Sequence, residues 1–118
     1  MARLVVKCTW GLERAETLFQ AFTVAATAAA SGNEVSLWLT GDAVWQAVAA
    51  TEDATLDHSP NLSVLRQAVL ASGTITVCAQ CAARRSLTEA DLVPGARIAG
   101  AATFVEESLD PAATALVY

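Results

Sequence analysis

Short apolar runs alternate along the chain with longer segments whose apolar positions recur at helical spacing. The runs predict strands at residues 4–8, 34–40, 74–78 and 113–118. The first run, LVVKC, lacks the apolar and polar alternation of a surface strand and is typical of a parallel sheet covered on both faces. The spacing predicts long helices at residues 13–31 and 60–72 and shorter helices at 43–50, 79–85 and 101–109.

The alternation of strands and helices indicates the fold class. It predicts an α/β protein with one doubly wound, mainly parallel sheet and helices on both faces, a flavodoxin- or Rossmann-like three-layer sandwich. A chain of 118 residues has room for one such core, so we expect a single domain over residues 1–118.

Two of the predicted strands end in a cysteine. Cys8 ends the first and Cys78 ends the third, and Cys81 follows three residues later. In doubly wound sheets, ligands and chemistry lie outside the carboxyl ends of the strands, where the strand order reverses. For a strand order of 2-1-3 that position lies between the first and third strands. We therefore expect the three cysteines to share one edge of the sheet.

Composition and charge narrow the classes of partner. Hydrophobic residues make up 54% of the chain and charged residues 16%, which predicts extensive burial and self-association. A net charge of −5 with seven scattered basic residues argues against a nucleic-acid partner, because phosphate binding depends on clustered Lys and Arg.

The apolar segment LFQAFTVAATAAA is shorter than the roughly 20 residues that span a bilayer, so no membrane partner is expected. The N-terminal segment lacks the apolar length of a signal peptide, which predicts a cytoplasmic location.

The CxxC pair, Cys78 and Cys81, allows four interpretations. A structural zinc site needs four ligands, and beyond this pair the chain offers Cys8 and His58, which is predicted to lie in an exposed loop, so no metal is expected. The pair is also compatible with a thiol-disulfide redox site or with a sulfur-carrying nucleophile at Cys78. The fourth interpretation is packing, since a cysteine in an apolar strand is often only a small buried side chain.

The cysteines differ in expected reactivity. Cys8 continues a core strand, which favours packing. Cys78 lies at a strand-to-helix junction, where unpaired backbone N–H groups and the helix dipole stabilise a thiolate. Arg84 and Arg85 follow one to two turns later and either add positive potential or are solvated charges.

Three tryptophans and one loop are further candidates for the site. Trp10, Trp38 and Trp45 fall near the carboxyl ends of the first two predicted strands, where they either line a pocket or subunit contact or pack in the core. The loop at residues 51–60 either covers the site or is a solvated connection. No glycine-rich phosphate-binding motif follows the first strand, so no cofactor is expected.

Two long segments of the sequence match the pattern of a known family. They are GLERAETLFQAFTVAATAAASGNEVSLWLTGDAV and ITVCAQCAARRSLTEADLVPGARIAGAATFVEE. In the second, a strand ends in cysteine and is followed by a short helix with arginine, a turn, an acidic and hydrophobic stretch and another helix. With these features the chain resembles the DsrE/DsrF-like family, which includes the TusD-type sulfur-relay subunits.

The resemblance implies a sulfur carrier, sulfurtransferase-like in its chemistry, in which Cys78 holds sulfane sulfur as a persulfide. Cys81 is a thiol that some members lack, and it is suited to resolve such a persulfide into a disulfide with release of sulfide. Ser86 stands where many members have glycine.

The resemblance also implies assembly and partners. Members form homotrimers or homohexamers, or hetero-oligomers with sister subunits, and exchange sulfur with donor and acceptor proteins in the cytoplasm. Two alternatives to a carrier remain open. One is an inert oligomeric binding or scaffold protein of the same fold, and the other is a thiol-disulfide oxidoreductase that cycles the pair Cys78 and Cys81.

Overall fold

The computed structural model describes residues 2–118, which form five strands and four α-helices. The strands are β1 (Arg3–Cys8), β2 (Glu34–Leu39), β3 (Thr74–Cys78), β4 (Ala96–Ala99) and β5 (Ala113–Val117). The α-helices are α1 (Ala15–Ala30), α2 (Leu62–Leu70), α3 (Ala79–Arg84) and α4 (Ala101–Ser108), and 3₁₀ segments lie at Leu12–Arg14, Gly41–Ala47 and Glu89–Asp91.

Most predicted elements are confirmed, with ends that shift by at most two residues. The helix predicted at residues 43–50 is instead the 3₁₀ segment Gly41–Ala47. The sequence pattern does not predict β4, because its four residues, ARIA, are too few and are interrupted by an arginine. They form a strand because β3 supplies a paired edge, from Ile75 with Ala96 to Cys78 with Ala99.

The five strands of the described chain run parallel in the order β4-β3-β2-β1-β5. This confirms a doubly wound α/β sheet. The expected 2-1-3 order is wrong, since β2 lies between β1 and β3. The first three crossovers all move one strand in the same direction, as right-handed connections on one face of a sheet do. The order instead reverses between β1 and β5.

One face of the sheet is apolar and packs against α1, α2 and α3. Val6, Leu37, Ile75 and Val77 lie on it at alternating strand positions and are fully buried. The apolar stripe predicted for the first helix packs there, and each fully buried leucine or phenylalanine contributes about 1.5–3 kcal/mol. The buried residues of α1 are Leu18, Phe19, Ala21, Phe22, Ala25, Ala26 and Ala29.

The opposite face is polar and is covered by α4. Glu107 of α4 accepts hydrogen bonds from the Ser36 hydroxyl and, at 3.0 Å, from the Trp38 indole nitrogen. Its second carboxylate oxygen lies 2.7 Å from a guanidinium nitrogen of Arg97 on β4. One turn earlier, Phe104 packs edge-on against Trp38, with 5.4 Å between ring centroids. A buried carboxylate and an aromatic pair thus hold α4 on the sheet.

Burial alone would raise the pKa of Glu107, but hydrogen bonds from Ser36, Trp38 and Arg97 and the charge of Arg97 outweigh it and hold the pKa below its ordinary value. A carboxyl whose pKa is depressed in the folded state stabilises the fold above its unfolded-state pKa of about 4.3. That contribution is lost as the pH falls through the folded-state pKa.

We predict that Glu107→Gln lowers the free energy of unfolding at pH 7 by about 1–3 kcal/mol, because buried donors lose a charged acceptor. Urea denaturation measures the change. Glu106→Gln is the matched control, since Glu106 is exposed on the same turn, and its effect stays within about 0.5 kcal/mol. The difference between wild type and Glu107→Gln shrinks below about pH 4. Equal stability at pH 7 would contradict the role assigned to Glu107.

The turn after α3 supports a second prediction. Ser86 has a φ of +55°, in the left-handed region that favours glycine, and its N–H donates to Ala83 at 3.1 Å. Ser86→Gly is therefore expected to raise the free energy of unfolding by about 0.5–1 kcal/mol, as seen in the urea midpoint. Ser72→Gly, at a position without positive φ, is expected to lower it. Destabilisation by both substitutions would argue against strain at Ser86.

Candidate active site at the carboxyl edge of the sheet

Cys8 and Cys78 lie at the same edge of the sheet, as expected from parallel strands, but β2 separates them and they belong to opposite faces. Cys8 pairs in register with Leu39, and Leu39 pairs with Val77. Cys8 is thus level with Val77, and Cys78 lies one position further along its strand. Since successive strand residues alternate between faces, Cys8 belongs to the apolar face and Cys78 to the face of α4.

Cys8 is a buried packing residue. Its side chain is fully buried in the apolar core, and its sulfur donates to the Trp10 carbonyl at 3.3 Å. Burial raises the pKa of the Cys8 thiol, and this effect outweighs the hydrogen bond to Trp10. A buried thiol with a raised pKa is a poor nucleophile, which supports the packing interpretation.

Cys78 has the opposite character. It is half-buried at the point where β3 turns into α3. Burial would raise the pKa of its thiol, but the backbone N–H groups of Cys81 and Gln80, a hydrogen bond with the Cys81 side chain and the charge of Lys7 together lower it. The thiolate is the nucleophilic form of cysteine, so Cys78 combines access with activation.

Cys81 lies in the first turn of α3, is almost fully buried, and its side chain helps to lower the pKa of Cys78. Its sulfur also accepts the backbone N–H of Gly41 at 3.3 Å. Gly41 has a φ of +54°, and a Cβ there would lie 3.1 Å from the Thr9 carbonyl oxygen. A glycine at the end of β2 therefore lets the backbone approach the second sulfur of the pair.

The two arginines after the CxxC pair have different roles. Arg85 donates to the Asp42 carboxylate at 2.8 and 3.1 Å and to the Cys81 carbonyl at 3.1 Å, which ties α3 to the 3₁₀ segment after β2. Arg84 lies 4.0 Å from the Cys81 sulfur. Of the two candidate sources of positive potential, Arg85 is thus engaged by an acidic partner, whereas Arg84 lies beside a sulfur.

Sequence reasoning missed Lys7, the cation whose charge lowers the pKa of Cys78. Lys7 pairs with Trp38 across the sheet, and its ammonium lies 5.2 Å from the centre of the Phe104 ring. The signal was present in LVVKC, where a single charged residue interrupts an apolar strand. Because successive side chains of a strand alternate between faces, Lys7 belongs to the face opposite Cys8 and the apolar core.

The tryptophans divide between the core and the surface. Trp38 is buried under α4, whereas Trp10 and Trp45 keep 39% and 38% of their surface exposed. Arg14 stacks on Trp10, 4.3 Å from its ring centre. Only Trp38 of the three therefore has the role of a core residue.

The loop at residues 51–60 lies beside α1 rather than over the cysteines. Residues 56–60 line a cleft of about 350 Å³ together with one face of α1 and Tyr118, and no cysteine lines it. His58 is exposed, as predicted, and has a φ of +63°. This position does not support the interpretation of the loop as a cover for Cys78.

Residues 2–118 contain neither a group of metal ligands nor a membrane-spanning helix. In that range no three side chains of His, Cys, Asp or Glu are grouped so as to hold a metal ion. Across the same residues, no helix combines the length and the apolar character needed to cross a membrane.

Comparisons with known proteins agree on the fold. The model of the DsrE/DsrF-like family matches residues 9–115. The uncharacterized protein MJ0989 of Methanocaldococcus jannaschii is 31% identical over 109 residues, which are 89% of this chain and 90% of that protein.

Two solved structures resemble this one over 100% of both chains. The crystal structure of the ychN protein from E. coli has a TM-score of 0.85 at 18% identity, and MTH1491 from Methanobacterium thermoautotrophicum has a TM-score of 0.72 at 11% identity. At these identities the likeness shows a shared fold alone.

Alkylation kinetics test the contrast between the cysteines. At pH 6.5 we expect iodoacetamide to modify Cys78 at least about tenfold faster than Cys8 in the native protein, since Cys78 is accessible with a lowered pKa and Cys8 is buried with a raised one. Peptide mapping by mass spectrometry gives both rates. In urea the rates are expected to converge. Equal rates in the native state would contradict the assignment.

Proposed function

This chain belongs to the DsrE/DsrF-like family, and on that premise we propose that it carries sulfane sulfur as a persulfide on Cys78. The observation that supports this most directly is the position of Cys78, half-exposed where β3 ends and α3 begins, where the backbone N–H groups of Cys81 and Gln80 lower the pKa of its thiol. A carrier needs an accessible thiolate and a partner, and its transfer step needs no further cofactor.

The transfer step follows ordinary thiolate chemistry. The Cys78 thiolate attacks the outer sulfur of a donor persulfide, a new sulfur–sulfur bond forms, and the donor's own sulfur–sulfur bond breaks. The electron pair of the broken bond leaves with the donor as its thiolate. Cys78 then holds a persulfide that an acceptor thiolate takes by the same reaction.

Cys81 is proposed as the resolving or modulating thiol. It lies three residues after Cys78, in the first turn of the helix that Cys78 begins, and its side chain contributes to the lowered pKa of Cys78, so it is suited to attack the inner sulfur of a Cys78 persulfide. That attack forms a disulfide between the two cysteines and releases hydrogen sulfide, which takes the electron pair of the broken bond and the Cys81 proton. Slow resolution would leave the carrier function intact.

The same CxxC pair favours a second candidate function, that of a thiol-disulfide oxidoreductase. Two thiols three residues apart at a helix start, one of them with a lowered pKa, also suit reversible disulfide exchange with a partner dithiol. Sulfur loading of Cys78 and oxidation of the pair differ in mass and are therefore separable.

We further propose that the protein works as a homotrimer or homohexamer, or as a hetero-oligomer with sister subunits, among donor and acceptor proteins in the cytoplasm. Exposed apolar side chains on α4 and the edge strand β5 support self-association, since an exposed strand edge with apolar residues favours pairing. These side chains are Val105, Leu109, Leu116 and Val117.

Mass spectrometry after incubation with a low-molecular-weight persulfide tests the carrier function. Wild type and Cys8→Ser are expected to gain about 32 Da on Cys78, the mass of one sulfur, whereas Cys78→Ser gains none. Cys81→Ser is expected to hold the added sulfur longer, because the resolving thiol is gone. Loading that persists in Cys78→Ser would overturn the assignment. A loss of two hydrogens between Cys78 and Cys81, without sulfur gain, would favour the oxidoreductase, and no change would favour an inert scaffold.

A further inference from the structure

Lys7 lies in a row of the sheet that reaches β3 two residues before Cys78. It pairs in register with Trp38, and Trp38 pairs with Thr76, so the three residues cross the α4 face side by side. Cys78 follows two positions after Thr76 on the same face. β1 and β3 are two strand spacings apart, and Cys78 lies two residues further along β3 than the row of Lys7. The Cα atoms of Lys7 and Cys78 are therefore about 12 Å apart. The long lysine side chain can therefore bring its charge towards the sulfur.

Phe104 of α4 holds the ammonium group of Lys7 in place. The nitrogen lies 5.2 Å from the centre of the Phe104 ring, within the range of a cation–π contact. The ring itself is fixed by its edge-on contact with Trp38, at an interplanar angle of 79°. The packing of α4 on Trp38 therefore fixes the ring that the Lys7 ammonium contacts.

The charge of Lys7 is not neutralised by a neighbouring acid. The ion pairs found among residues 2–118 join Arg3, Arg85 and Arg97 to carboxylates and do not include Lys7. Glu107 lies on the same face, but its oxygens are taken by Ser36, Trp38 and Arg97, three neighbours that compete with Lys7 for this carboxylate.

We propose that Lys7, positioned by Phe104, is the electrostatic partner of the sulfur anion on Cys78, and that the site therefore favours sulfur donors that carry negative charge beside the transferred sulfur. This inference rests on the proposed function, because a sulfur carrier bears an anion at Cys78 both as the thiolate and as the deprotonated persulfide. The contribution of Lys7 to the lowered pKa of Cys78 agrees with it. The other groups that face this sulfur or share its face are Cys81 of α3 and the ion pair of Arg97 and Glu107.

The experiment compares two alkylating agents of similar size, anionic iodoacetate and neutral iodoacetamide, on Cys78 of the full chain. Lys7→Met is expected to lower the ratio of their rates about fivefold and to raise the pH midpoint of iodoacetamide alkylation, since one nearby positive charge is lost. Lys7→Arg is expected to keep both values near those of wild type. Arg3→Met is the matched control, because it removes a cation from the opposite end of β1.

Two further measurements keep the inference testable if Lys7→Met folds poorly. Phe104→Leu retains the charge but removes the ring beneath it, and it is expected to give a ratio between those of wild type and Lys7→Met. In wild type the ratio is expected to fall with added salt, as screening predicts. An unchanged ratio and midpoint in a folded Lys7→Met would overturn the inference, as would a salt-independent ratio together with an unchanged Phe104→Leu.

These outcomes are independent of sulfur loading. A charge-dependent ratio in a protein that gains no sulfur would refute the carrier function and leave Lys7 as the partner of the Cys78 thiolate. Sulfur loading that is normal in Lys7→Met, with an unchanged rate ratio, would refute the role of Lys7 and leave the carrier function standing.

Discussion

The carboxylate of Glu107 is the contact on which the second helical layer depends. A parallel sheet is normally covered by apolar contacts on both faces, but the face beneath α4 presents the hydroxyl of Ser36 and the indole N–H of Trp38. An eight-residue helix has little apolar area to offer such a face. Hydrogen bonds to the buried Glu107 carboxylate compensate for the small apolar contact area. Because hydrogen bonds are directional, they fix the rotation and register of α4 more closely than apolar contacts would.

The position of α4 on the sheet also affects the edge where β1 and β3 end in Cys8 and Cys78. With Glu107 fixed, Phe104 lies one turn earlier against Trp38 and under the ammonium of Lys7. On the other side of the sheet, Arg85 and Gly41 hold α3 to the segment that follows β2. Contacts from both faces thus converge where β3 ends. The backbone N–H groups that lower the pKa of Cys78 therefore belong to a strand-to-helix junction that is held by contacts on both faces of the sheet.

Local sequence patterns predict most of the fold and part of the candidate site. Apolar runs located the strands that lie inside the sheet, and the cysteines at their ends located the edge, because both signals are local. The order of β1, β2 and β3 depends on the direction in which each crossover carries the chain across the sheet. No local pattern of apolar and polar residues predicts that direction. β4 owes its pairing to β3, and Lys7 contacts Phe104 only because α4 packs over its face of the sheet.

One strand position separates Cys8 from Cys78 along the edge of the sheet. Cys8 is level with Val77, and both belong to the apolar face. Cys78 is one residue further, so alternation assigns it to the other face just as the chain turns into α3, where backbone N–H groups lower the pKa of its thiol. The CxxC spacing places Cys81 in the first turn of that helix. The opposite pKa shifts of Cys8 and Cys78 therefore follow from the alternation of side chains along a strand and from the residue at which β3 ends.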